Sequence, residues 1–279
     1  MIPCTKMNGN GNDFLVINNM DLKYSAETLS LFAKALCRRR ESLGADGILS
    51  AEPSDLHDFK MRLFNRDGTE GEMCGNGARC IARFAFLKGI VNKSDMTFET
   101  LGGRVDASVK GTKASLKLSP VDISNIVRDV PESVEGYDFS YTFLTVGVPH
   151  AVIFEKSRLD SEDRYRKIGR AIRLRADLFP EGANINFVSP KPTYKAGLEV
   201  LTYERGVEDL TLSCGTGSTA SAIAAFTLGL TGPVVDVYNP GGLNRVSLEF
   251  GPSGKVFPEL EGGASYIAEI EASEEALDQ

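Results

Sequence analysis

The chain has 279 residues, 31 of them basic and 38 acidic, and its formal net charge is −7. A chain with this acidic balance is not expected to bind nucleic acid or an anionic membrane surface through charge, so a small molecule is the expected partner. Its content of 42% hydrophobic residues with 28 glycines is that of a globular protein, which excludes a collagen-like or wholly disordered chain.

The chain shows no signal for a membrane or for secretion. No stretch approaches the roughly 18 apolar residues that a membrane-spanning helix requires. The first residues, Met1-Ile2-Pro3-Cys4-Thr5-Lys6, lack the basic region followed by an apolar one that a secretion signal would have. We therefore expect a cytoplasmic protein without a membrane partner.

The five cysteines and two histidines restrict the kinds of site that the chain can form. A small, odd number of cysteines does not suit a disulfide framework, and we interpret Cys4, Cys37 and Cys80 as small core residues. There is no HExxH, no CxxC and no histidine cluster, so no metal is expected. There is also no GxxxxGK[ST], and the third glycine of a dinucleotide fingerprint is missing after Gly75-Asn76-Gly77, so no nucleotide cofactor is expected.

The first half of the chain predicts two helices and a hairpin. A helix opened by Ser25 has apolar residues at helical spacing, and so has a second helix that begins just after Cys74. Residues 105 to 118 alternate between apolar and polar across the turn Lys110-Gly111-Thr112, which predicts a β-hairpin.

The second half predicts two further helices. Ile168, Ala171 and Ile172 mark one of them, and the basic run from Arg164 to Arg175 is predicted to be its solvated face. The other, from Gly215 to Leu228, is apolar on nearly every face, which predicts burial on all sides by sheet. A helix inside a curved sheet is therefore the predicted module.

Three short motifs recur in the same order about 140 residues later in the chain. Cys74-Gly75-Asn76-Gly77 matches Cys214-Gly215-Thr216-Gly217, and the flanking residues align without a gap. The other two pairs are Gly44-Ala45-Asp46 with Gly182-Ala183-Asn184 and Gly102-Gly103 with Gly241-Gly242. Three matches at nearly one spacing predict two homologous halves, divided near Ser119-Pro120.

The repeated element is a cysteine followed by Gly-x-Gly at the start of a helix. Unpaired N–H groups and the positive end of the helix dipole favour a thiolate there, and they also form a cradle for a carboxylate. Gly75-Asn76 and Gly215-Thr216 can then donate amides to one substrate carboxylate. Inversion of a stereocentre by proton transfer needs a base on one face and an acid on the other, and Cys74 and Cys214 are candidates for these roles.

Other interpretations of the two thiols stay open at this point. His150 and Glu204 are candidates for the groups that adjust the thiols, but the sequence does not place them. A non-catalytic, redox-sensing protein that binds a small acid would use the same pair to form a reversible disulfide. Turnover of substrate by the reduced protein distinguishes an enzyme from such a sensor.

At these residues the sequence resembles the diaminopimelate epimerases, which belong to the cofactor-independent amino-acid racemases and epimerases. The resemblance extends over nearly the whole chain. In the first half it rests on Lys6-Met7-Asn8-Gly9-Asn10-Gly11-Asn12-Asp13-Phe14, Gly44-Ala45-Asp46-Gly47, Phe64-Asn65-Arg66-Asp67-Gly68 and Met73-Cys74-Gly75-Asn76-Gly77-Ala78-Arg79-Cys80. In the second half it rests on Phe179-Pro180-Glu181-Gly182-Ala183-Asn184, Tyr203-Glu204-Arg205-Gly206 and Ser213-Cys214-Gly215-Thr216-Gly217.

The resemblance implies an α/β (α+β) fold of two pseudo-symmetric domains, each a curved mixed sheet or barrel wrapped around a central helix. Residues 1–119 would form the domain of Cys74, and residues 120–264 the domain of Cys214. The last residues, about 265–279, would return to the first domain. The activity implied is the epimerisation of LL-diaminopimelate to meso-diaminopimelate without a cofactor.

The resemblance also implies the roles of individual residues. Cys74 and Cys214 match the two acid/base residues, with His150 assisting the first and Glu204 the second. Arg205 matches the partner of the distal carboxylate, for which a guanidinium is suited because it binds in a bidentate manner. The positions that match substrate-binding residues are Asn12, Asn65, Gly75, Asn76, Asn184, Glu204, Arg205, Gly215 and Thr216.

The sequence departs from the family pattern at three positions. Val148 stands where the family has Asn in a Gly-Asn-Pro-His motif, and Asn8 stands where His is usual. Val148 leaves a polar substrate group without its partner, so a racemase for another amino acid, such as histidine, is the second hypothesis. Ala268 stands where the family often has the Tyr of its dimer contact, and a homodimer is expected from the resemblance alone.

Overall fold

The computed structural model of the chain describes residues 1–159, 161–190 and 197–277. The helices in these residues are α1 (Ala26–Leu36), α2 (Gly75–Leu87), α3 (Glu162–Arg173) and α4 (Gly215–Thr227), with 3-10 turns at Ile123–Asn125, Pro252–Gly254 and Glu274–Leu277. Within the described part of the chain, no helix is both long and apolar enough to span a bilayer.

Most of the residues in regular secondary structure lie in β-strands. Those of the first half are β1 (Ile2–Gly9), β2 (Asn12–Asn18), β3 (Gly47–Glu52), β4 (Phe59–Asn65), β5 (Glu70–Gly71), β6 (Asp95–Thr100), β7 (Gly103–Lys110) and β8 (Lys113–Lys117). Those that follow are β9 (Val121–Asp122), β10 (Val127–Val134), β11 (Tyr137–Val146), β12 (Val148–Phe154), β13 (Asn184–Pro190), β14 (Gly197–Glu204), β15 (Asp209–Thr211), β16 (Val234–Asn239), β17 (Gly242–Phe250), β18 (Lys255–Gly263) and β19 (Ser265–Ala272).

The chain forms two compact units. Unit 1 consists of Met1–Lys117 and the described residues from Glu261 onward, and unit 2 consists of Leu118–Leu260. The last strand, β19, pairs with β1, so this strand belongs to unit 1.

Unit 1 is a mixed sheet that wraps around one helix. Its strands pair in the order β19-β1-β2-β3-β4-β6-β7-β8, with β5 on the end of β4. The β2–β3 and β4–β6 pairs are parallel and the others are antiparallel. Helix α2 packs against β1, β2, β3, β7 and β8. One helix is therefore in contact with strands that are distant from one another in the sheet.

The predicted hairpin of residues 105 to 118 is confirmed as β7 and β8. Val109 lies opposite Ala114 and Ala107 opposite Leu116, and these four side chains are buried while their neighbours are more exposed. The alternation places one face of the hairpin in the core, because successive side chains of a strand point to opposite faces.

Strand β3 is buried on both faces, since helices lie on both sides of it. α1 and α2 each contact β3. Ile48 belongs to the core cluster under α1, and Leu49 reaches the small residue Gly77 of α2. Ser25 caps α1 by accepting a hydrogen bond from the Thr28 N–H at 3.3 Å, as its residue type predicts.

Unit 2 repeats this arrangement. Its strands pair in the order β10-β11-β12-β13-β14-β16-β17, with β15 on the end of β14, and the β12–β13 and β14–β16 pairs are parallel. Helix α4 contacts β11, β12, β13, β14, β16 and β17. The predicted fold class, two pseudo-symmetric halves with a curved mixed sheet around a helix, is therefore confirmed.

Helix α4 is buried on all sides, as its apolar composition predicts. Three of its hydroxyl groups bond to the backbone of the helix start, and Ser218 Oγ also bonds to Asn239 and Asn244. The hydroxyls of Ser218, Thr219 and Ser221 donate to the carbonyl oxygens four residues earlier, at 2.9, 3.0 and 2.7 Å. A hydroxyl that bonds to its own helix can be buried at little free-energy cost, because it no longer needs water.

The basic run from Arg164 to Arg175 is only in part a solvated face. α3 ends at Arg173, so Arg175 lies beyond the helix, where it pairs with Asp177 at 2.6 Å. Arg173 is partly buried and pairs with Glu208 at 3.2 Å. The prediction failed at this end because periodicity does not show which charged residues have acidic partners in other elements.

Candidate active site

Cys74 is the N-cap residue of α2, with extended backbone angles of φ −134° and ψ 122°. Its carbonyl oxygen accepts the first hydrogen bond of the helix, from the Ala78 N–H at 2.7 Å. A Cβ placed on Gly75 would meet only the end of the Leu116 side chain, at 4.0 Å. The first turn is therefore open to a ligand, and helix N-termini favour anions.

Two predicted substrate-binding residues, Asn12 and Asn76, lie close to Cys74. Asn12 begins β2, and its Oδ1 lies 3.6 Å from Cys74 Sγ and 3.5 Å from the amide nitrogen of Asn76. Asn65 is placed differently: within the described residues its side chain bonds to Thr69 at 3.1 Å, in its own turn. The structure brings Cys74, Asn12, Gly75 and Asn76 together and leaves Asn65 at the end of β4.

The other three cysteines of unit 1 are buried thiols. Burial raises the pKa of Cys4 to about 11, and it raises the pKa values of Cys37 and Cys80 to about 12. These thiols remain protonated at neutral pH, because desolvation disfavours a thiolate. Their interpretation as core residues is confirmed by their burial.

Cys214 is the N-cap residue of α4, at the equivalent place in unit 2. Its sulfur accepts a hydrogen bond from the Gly217 N–H at 3.3 Å and lies 3.4 Å from the Thr216 hydroxyl. Cys214 thus receives a backbone donor, whereas the contact of Cys74 with Asn12 offers it an acceptor. The two cysteines occupy matching positions with different hydrogen-bond surroundings.

Three neighbouring strands of unit 2 bring four predicted site residues to one edge of its sheet. His150 on β12 lies opposite Asn184 on β13. Asn184 Oδ1 accepts a hydrogen bond from the Arg205 N–H at 2.7 Å, directly after Glu204 at the end of β14. This edge therefore holds an imidazole, an amide, a carboxyl and a guanidinium, although the four are far apart in sequence.

Burial raises the pKa of Glu204, and the nearby Thr211 hydroxyl opposes part of that shift. A carboxyl removed from water resists ionisation, because its charged form loses hydration. Raised carboxyl pKa values suit proton transfer near neutral pH, which makes Glu204 the carboxyl of this edge best adapted to acid/base chemistry.

His150 is buried and neutral. Burial lowers the pKa of its imidazole to about 3. The Asn186 amide nitrogen has two hydrogens and donates one of them to the Ala151 carbonyl oxygen at 3.2 Å, with the Asn184 carbonyl oxygen 3.4 Å away; its Oδ1 accepts from the Thr202 hydroxyl at 3.0 Å. The same nitrogen points at His150 Nδ1 at 3.2 Å, so Nδ1 accepts and the proton lies on Nε2, which has no hydrogen-bond partner among the described residues.

Asn186 is a functional candidate that the sequence interpretation missed. It orients His150 and supports the start of α4, yet it belongs to no motif. A signal was present: Asn184 and Asn186 are two residues apart at the start of a strand whose other residues up to Val188 are apolar, so both point to the same face. A buried polar pair on one face of a strand is typical of a functional site.

We predict that Gly217→Ala destabilises the protein and lowers its activity. A Cβ at Gly217 would collide with Asn186 Oδ1 and lie 2.9 Å from Thr202 Oγ1. Overpacking of this kind costs about 1–3 kcal/mol, and displacing Asn186 would also release His150. The equivalent Gly77→Ala is the matched control, since its Cβ would meet only the ends of Leu49 and Phe14, at 3.2 and 3.4 Å.

Urea unfolding and initial reaction rates measure both variants. Gly217→Ala is expected to lose about 1–3 kcal/mol of unfolding free energy and at least about tenfold in rate. Gly77→Ala is expected to change the free energy of unfolding by less than about 1 kcal/mol, because alanine favours a helix over glycine by a similar amount. Equal effects in the two variants would show that the Asn186 contact is unimportant.

One guanidinium nitrogen of Arg205 donates a hydrogen bond to the Glu181 carbonyl oxygen at 2.7 Å. Its charge also lowers the pKa of His150, so it lies near the imidazole. Val148 begins β12 and is partly exposed, two residues before His150. Among the described residues, no three His, Cys, Asp or Glu side chains are grouped so that they could hold a metal ion.

Solved structures share the fold of this chain at low sequence identity. A hydroxyproline epimerase from Agrobacterium vitis, solved with trans-4-hydroxy-L-proline, is 15% identical with a TM-score of 0.69, covering 98% of this chain and 90% of that one. A phenazine biosynthesis protein of the PhzF family from Bacillus anthracis is 15% identical with a TM-score of 0.70, covering 96% and 98%. These similarities establish the fold.

Sequence comparison establishes the family. The model of the family described as diaminopimelate epimerase matches residues 4–122 and 142–251. A diaminopimelate epimerase from a Hydrogenobaculum species is 40% identical over 280 aligned positions, covering 94% of this chain and 98% of the relative. One from Methanothrix thermoacetophila is 39% identical, covering 98% and 96%. The chain therefore belongs to the diaminopimelate epimerase family, a family of isomerases.

Proposed function

We propose that this protein converts LL-diaminopimelate to meso-diaminopimelate, with Cys74 and Cys214 as the two acid/base residues. The observation that carries the proposal is the placement of a cysteine at the N-cap of the central helix in each unit, within a chain of this family. A helix start that binds a carboxylate and presents a thiol suits proton transfer at the carbon next to that carboxylate.

In the proposed reaction one cysteine, as a thiolate, removes the proton from the α-carbon. The electron pair of the broken C–H bond spreads into the substrate carboxylate, and the other cysteine, as a thiol, donates its proton to the opposite face. The N–H groups of Gly75-Asn76 and Gly215-Thr216 are proposed to bind that carboxylate, and their hydrogen bonds strengthen as its charge grows. The reaction is redox-neutral, because one proton leaves the α-carbon, another is added to its opposite face and no electrons leave the substrate.

His150 and Glu204 are proposed to assist the two cysteines. The neutral imidazole can offer its Nε2–H to a developing negative charge without itself accepting a proton, and we assign it to Cys74. Glu204, whose pKa burial raises, is assigned to exchange a proton with Cys214.

The distal, non-reacting end of the substrate needs both a cation and polar groups. Arg205 is proposed to bind the distal carboxylate, with Asn12, Asn65, Asn184 and Glu204 as further contacts. Among the residues that the structure describes, one guanidinium nitrogen of Arg205 is bonded, to the Glu181 carbonyl oxygen, which leaves the other guanidinium nitrogens for a carboxylate.

Chiral chromatography of reduced protein incubated with LL-diaminopimelate, and in parallel with histidine, glutamate and lysine, tests the proposed substrate. Appearance of the meso isomer, with no inversion of the other amino acids, is the expected result. Inversion of another amino acid alone would retain the mechanism and overturn the substrate. Specific binding without turnover in either redox state would instead favour the sensor.

Val148 favours a second candidate, a racemase for another amino acid. An unsatisfied polar substrate group costs about 1–3 kcal/mol when it loses its partner. We therefore predict that Val148→Asn lowers the KM for diaminopimelate by about tenfold, the equivalent of 1.4 kcal/mol, with little change in kcat. Steady-state kinetics would contradict this prediction if KM did not fall, and the second candidate would gain support if the unchanged protein inverted another amino acid.

We infer that the protein is cytoplasmic, and from the resemblance alone that it is a homodimer. Two catalytic thiols require a reducing compartment, because a disulfide between them could not carry protons. Light scattering of the reduced protein would give twice the chain mass of 30.2 kDa if the dimer forms, and a monomer mass would overturn it.

A further inference from the structure

Arg79 of α2 is a buried cation in unit 1. Its exposed fraction is 0%, and none of the described residues forms an ion pair with it. Its Nη2 donates to Asn76 Oδ1 at 2.8 Å and its Nε to the Gly263 carbonyl oxygen at 3.3 Å. Burial of an arginine without a carboxylate partner is unfavourable, which suggests a role other than stability.

The bond to Arg79 determines how the Asn76 amide is oriented. A guanidinium is only a donor, so the oxygen of Asn76 must face it, and the Asn76 NH₂ group must then point the other way. That NH₂ group is directed at Asn12 Oδ1, 3.5 Å away. The donor side of Asn76 is therefore presented on the same side as Asn12 and Cys74.

The bond to Asp46 determines how the Asn12 amide is oriented. The Asn12 amide nitrogen donates to Asp46 Oδ2 at 2.6 Å. The Asp46 carboxylate also pairs with Arg39 at 2.8 Å and accepts the Asp13 N–H at 3.1 Å. A carboxylate is only an acceptor, so the oxygen of Asn12 must turn away from Asp46, toward Asn76 and toward Cys74 Sγ at 3.6 Å.

We propose that Arg79 and Asp46 are positioning residues at the two ends of one hydrogen-bond chain, Arg79–Asn76–Asn12–Asp46. A donor at one end and an acceptor at the other leave each asparagine a single orientation. The proposal rests on the proposed function, in which Asn76 and Asn12 contact the substrate, and it adds two residues that act through them. In this chain, Asn12 presents an oxygen to Cys74, a contact that suits the thiol form.

Unit 2 has no equivalent of this chain among its described residues. The repeat places Thr219 at the position of Arg79, and its hydroxyl bonds within α4 to the Gly215 carbonyl oxygen. Asn184 stands at the position of Asp46. The sulfur of Cys214 instead receives the Gly217 N–H, a contact that suits the thiolate. The two cysteines therefore occupy the same place in the repeated fold, but Cys74 Sγ has a contact with an acceptor, Asn12 Oδ1, and Cys214 Sγ has one with a donor, the Gly217 N–H.

The kinetic test is a double-mutant cycle between the two ends of the chain. Arg79→Gln and Asp46→Asn should each lower kcat by about 10- to 100-fold with a smaller change in KM, because the amides matter most when charge develops on the substrate. The double variant should be no slower than the slower single variant. Multiplicative losses would overturn the proposal, since independent sites add in free energy.

Two further variants separate positioning from simple loss of structure. Arg79→Lys keeps a donor-only cation and should retain activity within about tenfold of the unchanged protein. Arg83→Gln is the matched control one turn along α2: Arg83 also donates to backbone carbonyls, of Gly111 at 3.0 Å and Ala264 at 2.6 Å, but to neither asparagine. It should change kcat by less than about threefold. An equal loss in Arg83→Gln would contradict the proposal.

Alkylation of Cys74 tests the chain without substrate turnover. Asp46→Asn replaces an acceptor-only group with an amide that can also donate, so Asn12 can turn its NH₂ group toward sulfur, and iodoacetamide should modify Cys74 at least about threefold faster at pH 7. Cys214, followed in the same digests by mass spectrometry, should not change. Asp13→Asn is the charge control, because Asp13 pairs with the same Arg39 at 2.5 Å but leaves the Asn12–Asp46 bond in place.

The alkylation result decides the proposal by itself. No increase at Cys74, an equal increase in Asp13→Asn, or a parallel increase at Cys214 would each overturn it. Asp46 is partly exposed, so its replacement can be examined even if Arg79→Gln does not fold. If the unchanged protein did not epimerise diaminopimelate, the proposed function would fail while the alkylation rates still tested the chain.

Discussion

Replacement of Cys74 or Cys214 by alanine is expected to abolish epimerisation almost completely. Each substitution removes one of the two proton-transfer groups, and such groups contribute about 10²- to 10⁴-fold to a rate. Cys74 makes no side-chain capping bond to α2, whereas Cys214→Ala also loses the bond from the Gly217 N–H, so stability is measured for each variant. Initial rates by chiral chromatography, with unfolding curves for each variant, provide the measurement.

Cys4→Ala is the control for the loss of a thiol. Cys4 is buried in β1, where burial raises its pKa to about 11. Its removal should reduce stability modestly, since a small core group is lost, and leave the rate within about threefold. If Cys74→Ala or Cys214→Ala kept a rate similar to that of Cys4→Ala, the assignment of two acid/base cysteines would be wrong.

Glu204→Gln is expected to lower activity and raise stability at neutral pH. The variant cannot exchange a proton, so the rate should fall by about 10²-fold or more. Burial raises the folded-state pKa of Glu204 above its ordinary value of 4.5. The folded state thus holds this proton more tightly than the unfolded state, and ionisation of Glu204 destabilises the fold.

The pH dependence of this effect has a definite sign. Well below pH 4.5 the carboxyl is protonated in both states, and Glu204→Gln should unfold at nearly the same urea concentration as the unchanged protein. As the pH rises through the folded-state pKa, the unchanged protein should lose stability relative to the variant. Glu249→Gln, at an exposed position of β17, is the control and should show no such difference. A variant less stable than the unchanged protein at pH 8 would contradict this account.

The two units use one fold for different polar networks. Unit 1 surrounds its cysteine with a chain of amides held between Arg79 and Asp46. At one edge of its sheet, unit 2 holds a neutral imidazole, oriented by Asn186, and a carboxyl whose pKa is raised. This division is consistent with a reaction in which one cysteine starts as the acid and the other as the base.

Local features of the fold could be predicted from the sequence. α2 and α4 begin at the glycine after each cysteine, as expected, because a helix start depends on the cap and on the spacing within a few residues. The hairpin of β7 and β8 was predicted for the same reason: alternation and a glycine turn are both local.

Long-range contacts in the site could not be predicted in this way. The Asn12–Asp46 bond depends on the parallel register of β2 and β3, and the edge of unit 2 depends on His150 lying opposite Asn184. Nothing in the sequence gives the register of strands joined through a helix. The motifs did place Arg79 and Asp46 beside site residues, but only the structure shows which amide each one orients.

The central claim, proton transfer by two different groups on opposite faces, is tested most directly with LL-diaminopimelate in D₂O. NMR would follow the α-protons of both isomers during the first few per cent of conversion. Two bases predict that the meso product carries deuterium at the inverted centre, while recovered LL substrate keeps its protium. A product that retains the substrate's own α-proton would show a single base serving both faces, and would contradict the account.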